Sequence, residues 1–149
     1  MKTLAVIMLS FVASACFSKK VSEKPLSAAE LSERRDQEAI VEIQNHLEKE
    51  EFEQSHKKSS QYLLNTPLTK NSQLVNYYLS RSLEGLKRWD EAAESYRSIV
   101  RSNTSPGSLV AKSLYRLSFC YEALKQDDKV IASLLDVLKR KNQIEQDRL

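Results

Sequence analysis

One segment of this chain returns 38 residues later, and that return limits the folds open to it. The run Leu79-Ser80-x-x-Leu83-x-x-Leu86-x-x-Trp89-x-x-Ala92-x-x-x-Tyr96-x-x-Ile99 comes back as Leu117-Ser118-x-x-Tyr121-x-x-Leu124-x-x-Asp127-x-x-Val130-x-x-x-Leu134-x-x-Val137. The offset is 38 at each matched position tested: 117 − 79, 121 − 83, 130 − 92 and 137 − 99. Within each copy the apolar residues recur at three- and four-residue steps, the period of a helix face. A fixed offset of this size marks stacked helix–turn–helix units, each burying its apolar face against its neighbour. The chain holds two glycines and three prolines in 149 residues, which leaves few helix breakers and implies helix almost throughout.

Residues 1–15 read as a secretory signal peptide. Lys2 supplies the positive start, Leu4 to Val12 is apolar except for Ser10, and Ala13-Ser14-Ala15 follow. The apolar run is too short to span a bilayer. Ala13-Ser14-Ala15 fits ordinary signal peptidase. With Cys16 behind it, the same stretch resembles a relaxed bacterial lipobox, in which Cys16 is lipidated and becomes the first mature residue. Acyl chains on Cys16 would hold a small domain at a membrane surface, because each buried CH₂ contributes about 0.8 kcal/mol. Phe17 in place of Asp after the Cys leans toward the outer membrane, by resemblance to bacterial sorting rules. The expected location is thus a lipoprotein facing the periplasm; ordinary cleavage would leave a soluble periplasmic protein. Residues 16–27 form a polar tether with Pro25.

Charge and cysteine content exclude several classes. Removing Lys2 from a net +3 leaves about +2, with both signs interleaved, which is too little for a dedicated nucleic-acid surface. Glu84, Glu91, Glu94 and Glu122 break up the stripe formed by Arg81, Arg88, Arg97, Arg101, Lys112 and Arg116. Cys16 and Cys120 give no disulfide framework; Cys120, on a helical apolar stripe, is expected to pack as a small apolar residue. His46 and His56 are the only histidines. His46 with Glu42 and Glu50 has metal-ligand spacing, yet reads better as solvated helix surface. No catalytic constellation, phosphate loop or cofactor motif is present, so no enzyme activity, cofactor or metal is assigned. Asn103-Thr104-Ser105 fits a glycosylation sequon, a match common by chance.

Six helices are expected: about 28–50, 52–65, 72–87, 90–102, 108–125 and 128–141. Ser27 and Glu30 form a capping box before the first, whose stripe would be Leu31, Ile40, Ile43 and Leu47. Asp90 is expected to cap the fourth, and Asp127-Asp128 to favour the positive end of the sixth. Residues 103–107 form a loop. The pattern resembles the tetratricopeptide repeat, two antiparallel helices in about 34 residues. The second repeat matches through Leu79, Ser80, Leu83, Trp89, Ala92, Tyr96 and Ile99. The third matches through Leu114, Leu117, Ser118, Tyr121, Val130, Leu134 and Val137. The first is degenerate, matching only at Phe52, Ser55, Ser59, Tyr62 and Pro67. Small residues Ser80, Ala92 and Ser118 would let helix axes approach to about 8–10 Å.

The resemblance implies an all-α, short right-handed solenoid of about three repeats (38–70, 73–106 and 111–141) within a domain spanning 28–149. It implies a concave face lined by first-helix positions: Tyr77, Arg81 and Glu84, then Lys112, Tyr115, Phe119 and Glu122. Tyr, Arg and Phe dominate binding hot spots, although Tyr115 and Phe119 could equally pack against a neighbouring helix. Lys112 and Arg116 resemble part of a carboxylate clamp used by some family members, but Ile40, Gln44 and Tyr78 stand where its other members belong, so that activity is set aside. The run from Ala111 to Leu124 is similar to repeats of envelope proteins of the outer-membrane barrel-assembly and Tol–Pal systems. The implied role is an adaptor at the cell envelope, taking extended or helical segments of envelope proteins, with no nucleic acid. A second reading is a structural or homo-oligomerising subunit. It rests on the sixth helix, whose Val130, Ile131, Leu134, Leu135, Val137 and Leu138 give it two apolar faces to be covered by the tail or by a partner.

Overall fold

The computed structural model describes residues 27–66 and 69–146, with side chains to residue 140. Cys16, the leader, the tether and Pro67 lie outside the described residues. Six helices follow in order: α1 (Ala28–Glu48), α2 (Phe52–Asn65), α3 (Ser72–Gly85), α4 (Trp89–Arg101), α5 (Gly107–Ala123) and α6 (Asp127–Gln146). No strand occurs among the described residues, and no helix there is long and apolar enough to cross a membrane. Each helix packs against the next. In addition α1 meets α3 and α3 meets α5, whereas the backbones of α2, α4 and α6 do not approach one another closely. The first helices of the three pairs therefore form one continuous layer and the second helices stand behind it. This is an all-α solenoid of helix–turn–helix pairs.

The same turn closes each pair. Glu50, Lys87 and Lys125 adopt left-handed backbone with φ of 59°, 59° and 57°. The following N–H groups, of Glu51, Arg88 and Gln126, donate to the carbonyls of His46, Leu83 and Tyr121, all at 2.9 Å. The left-handed residues themselves donate to Leu47, Glu84 and Glu122. These paired bonds are the Schellman motif, which satisfies carbonyls left over at a helix end. A non-glycine residue in this conformation costs about 1–2 kcal/mol. It recurs because it sets the reversal that lays the second helix on the first. The degenerate first repeat makes this turn just as the other two do.

Two apolar clusters hold the stack, one at each junction between repeats. Ile40, Ile43, Tyr62 and Val75 join the first repeat to the second. Leu83, Ala92, Ala93, Tyr96, Ile99, Leu109, Leu117, Cys120 and Tyr121 join the second to the third. Burial pushes the Cys120 thiol up to about 11, which leaves it protonated and inert as a small core residue. Small side chains sit where helices cross. Ser55, Ser59, Ser80, Ser82, Ala92 and Ser113 have no exposed surface, and Ser118 is buried. Several hydroxyls bond one another across the crossings. Ser82 Oγ donates to Ser55 Oγ at 2.8 Å, and Ser80 Oγ donates to Ser95 Oγ at 2.7 Å.

Local expectations hold at some positions and fail at others. The capping box forms: Ser27 Oγ accepts from the Glu30 N–H, and the Ser27 N–H donates to the Glu30 carboxylate at 2.7 Å. Asp90 does not cap α4. Arg88 occupies that position, because the Schellman turn starts the helix at Trp89 and puts Asp90 in the first turn. Leu31 is not part of a buried stripe and stands exposed, because α1 overhangs its neighbours at that end, and only Ile40 and Ile43 are buried. Residues 142–146 extend α6 and do not fold back over it. His46 meets Glu51 through Nδ1 at 2.5 Å and Glu42 at 4.0 Å, but not Glu50, which the left-handed turn carries away.

Gly85 ends α3 against the side of Phe52, the first residue of α2, and a Cβ there would overlap the Phe52 ring. Helix propensity alone would favour alanine by about 1 kcal/mol. Gly85→Ala is instead expected to destabilise the fold by about 1–3 kcal/mol, read as a lower urea midpoint. Phe52→Leu in the same chain should recover part of the loss; a rise in midpoint for Gly85→Ala alone would show that the contact is slack.

Candidate binding groove

The layer formed by α1, α3 and α5 carries the residues singled out from sequence, and they separate into three environments. The first lies between α1 and α3. Tyr77, Tyr78 and Arg81 of α3 face Gln44, Leu47 and Glu48 of α1 across a cleft of about 230 Å³. Tyr77 is half-buried and packs its ring edge-on against Tyr96 at 5.9 Å, with Tyr78 at 6.1 Å on its other side. The hydroxyl of Tyr78 reaches Gln44 at 3.4 Å, and burial raises its pKa, with Tyr77 and Glu48 adding to the effect.

The second environment is an ion cluster beneath this layer. Glu84 is nearly buried, its side chain 11% exposed. It accepts from the hydroxyl of Tyr96 at 2.9 Å and from Arg116 Nε at 2.9 Å, and Arg116 makes a second contact through Nη2. Arg81 Nε lies 3.9 Å from the same carboxylate, too far for a hydrogen bond. One carboxylate thus stands between two guanidinium groups and bonds only one. Burial, and then the nearby Arg81, lower the pKa of Arg116. Arg81 Nε is left buried with no acceptor among the described residues, while the rest of its side chain is 38% exposed. Tyr96 is also raised well above the ordinary phenol value, first by burial.

The third environment is the open side of α5. Tyr115 and Phe119 are 49% and 37% exposed, and their rings meet edge to face at 5.0 Å. Arg116 lies over the Phe119 ring at 5.1 Å. Mutual contact restrains both rings before any partner arrives, which lowers the entropy lost on binding. Lys112 lies apart, in a cleft of about 300 Å³ shared with Lys70, Gln73 and Leu109. Glu122 is exposed at the far end of α5.

Tyr77 and Arg81 therefore share one wall. Tyr115 and Phe119 share another, Arg116 links the two through Glu84, and Lys112 and Glu122 stand outside both. Arg116, Tyr78 and Gln44 belong to this surface, although sequence reasoning weighed Arg116 only for a clamp and a basic stripe and took Gln44 and Tyr78 as departures from the clamp. The signal that could have found Arg116 was its place three residues before Phe119, on the same helix face. Behind the layer, His56 of α2 lines a separate cleft with Leu79, Leu83 and Glu91; burial, and then Arg88, lower its pKa. No group of three or more His, Cys, Asp or Glu among the described residues could hold a metal ion.

Removing the charge of Glu84 leaves Arg81 and Arg116 facing each other without a shared carboxylate. Glu84→Gln is expected to cost about 2–3 kcal/mol, and Tyr96→Phe, which removes one hydroxyl from the same oxygen, about 1 kcal/mol. Urea denaturation of the two variants checks this; equal losses would show that the ion pair contributes nothing beyond its hydrogen bonds.

Residues 75–103, which take in most of α3, the left-handed turn and all of α4, match the tetratricopeptide repeat. No curated protein and no solved structure matches the chain. The chain is thus similar, across its middle helix pair, to a repeat family that in general binds proteins and is non-enzymatic.

Proposed function

We propose that this protein is an interaction adaptor of the bacterial cell envelope, exported by its leader and anchored through lipid on Cys16, with the α1–α3–α5 layer as its binding face. The observation that carries the binding reading is Arg81, whose side chain, 38% exposed, stands on the wall of a cleft flanked by Tyr77 and Tyr78 and does not bond Glu84. The exposed part of the guanidinium would donate to a carbonyl or carboxylate of a bound segment, and such charge-assisted bonds are stronger than neutral ones. Tyr115 and Phe119 offer an adjacent aromatic platform for an apolar side chain of the same segment. The partner is thus an extended or helical stretch of another envelope protein that presents an acceptor oxygen beside a hydrophobic residue.

Crosslinking in intact cells followed by affinity purification tests the binding face. One dominant envelope protein is expected with the unaltered chain. Its recovery should fall at least about tenfold in Arg81→Ala and in Tyr115→Ala/Phe119→Ala, each a loss of about 1.4 kcal/mol or more, while far-UV circular dichroism stays unchanged. Equal recovery by both variants would sink the groove reading. The anchor has its own test. Cys16→Ser is expected to move the chain from the membrane fraction to the soluble periplasmic fraction, and unchanged fractionation argues for cleavage without lipid.

A further inference from the structure

Among the described residues the stack's last helix is α6, and its outer side is apolar where the outer face of a terminal repeat needs to be polar for solubility. Ile131, Leu134, Leu135 and Leu138 are 59%, 38%, 51% and 55% exposed. Their spacing puts them on one stripe of the helix. The repeat register explains the stripe. Ile131 and Leu134 stand 38 residues after Ala93 and Tyr96, which are 2% and 0% exposed in the cluster that α4 shares with α5. Val130 and Val137, the equivalents of Ala92 and Ile99, stay half-buried. In the second repeat, then, the Ala93 and Tyr96 positions are covered by the helix that follows, and among the described residues no helix follows α6. Residues 142–146 continue α6 and so cannot lie across it.

We propose that this stripe is the two-fold interface of a homodimer, with α6 packed antiparallel against α6 of a second copy. The charges beside the stripe select this occupant. Asp127 and Asp128 open α6, and Lys139 stands near its other end with its side chain 78% exposed. Asp128 and Lys139 are eleven residues apart (139 − 128), close to three helical turns, so they lie on the same side of the stripe. An antiparallel two-fold brings Asp128 opposite Lys139 of the partner subunit, and does so twice. A parallel pairing would leave acid level with acid and base level with base, on opposite sides of the seam, and would form neither pair. The contact Lys139 makes within its own chain, 3.9 Å from Asp136, is exposed and worth little, so it does not compete. An isologous contact of this kind closes at two copies, leaving no apolar stripe unpaired. It does not rest on the groove reading, because α6 contributes none of the residues assigned to the groove.

Sedimentation equilibrium of the full chain, in a density-matched detergent that keeps residues 1–26 soluble, reads the assembly directly. Twice the chain mass is expected at about 100 µM, a range that captures even a weak dimer. Leu135→Glu should give a monomer with unchanged helicity. Asp128→Lys and Lys139→Asp should each weaken the dimer about tenfold or more, the double exchange should restore it, and an equimolar mixture of the two single variants should associate more tightly than either alone. A monomeric unaltered chain overturns the proposal and assigns the stripe to residues 1–26 or to a different protein. A dimer that survives Leu135→Glu, or charge exchanges that do not rescue each other, overturns it as well.

Discussion

A helix pair of this size cannot bury its own apolar face, and the rest of the structure depends on that shortage. Each pair has one helix that must be covered by the pair beside it, so the core is divided into two junctions instead of one centre. Tyr62 and Val75 belong to the first junction; Tyr96, Leu117 and Cys120 belong to the second. Serine and alanine stand at the crossings because larger side chains would hold the axes apart. The hydroxyls this introduces are satisfied mainly by one another and by nearby carbonyls, as with Ser82, Ser55 and the carbonyl of Ile43. The left-handed turns at Glu50, Lys87 and Lys125 keep the geometry the same from one pair to the next.

The same constraint produces the candidate groove. Because α1, α3 and α5 are the helices that touch across repeats, residues on their outward side are presented in a row. Glu84 and Arg116 tie α3 to α5 from beneath, and in doing so they occupy the carboxylate that lies 3.9 Å from Arg81 Nε. Packing between repeats and an Arg81 that the shared carboxylate does not hold are thus two results of a single ion cluster. The proposed binding role and the stability of the second junction should for that reason be partly coupled. Variants of Arg81 are better probes of binding than variants of Glu84.

At the end of the stack the constraint goes unmet. Tyr77 is half-buried beneath the third repeat, whereas Tyr115, its equivalent 38 residues on (115 − 77), is 49% exposed, and among the described residues no further repeat covers it. Ile131 and Leu134 show the same contrast with Ala93 and Tyr96. An end built from the side chains that the stack uses inside itself is the condition under which a further helix, from a second copy or from elsewhere, would be held.

How much of this was legible depended on how local each feature is. The second and third repeats could be read because their large and small residues recur at one offset, and that pattern is set by packing that every repeat shares. The first repeat was obscure: among the described residues α1 has neighbours on one side only, in α2 and α3, and buries just two isoleucines. The start of α4 was misplaced at Asp90 because the turn uses Lys87 in a conformation that sequence associates with glycine. By itself the sequence determined the helical content, the repeat length, the capping box at Ser27 and the apolar excess of α6, all of which follow from residue type and period. Only the tertiary structure decided that Glu84 is held by Arg116, 32 residues away, that Arg81 is left without an acceptor, and that Gly85 faces Phe52. These depend on which helices lie side by side, and spacing along a chain does not encode the distance between two side chains on different helices.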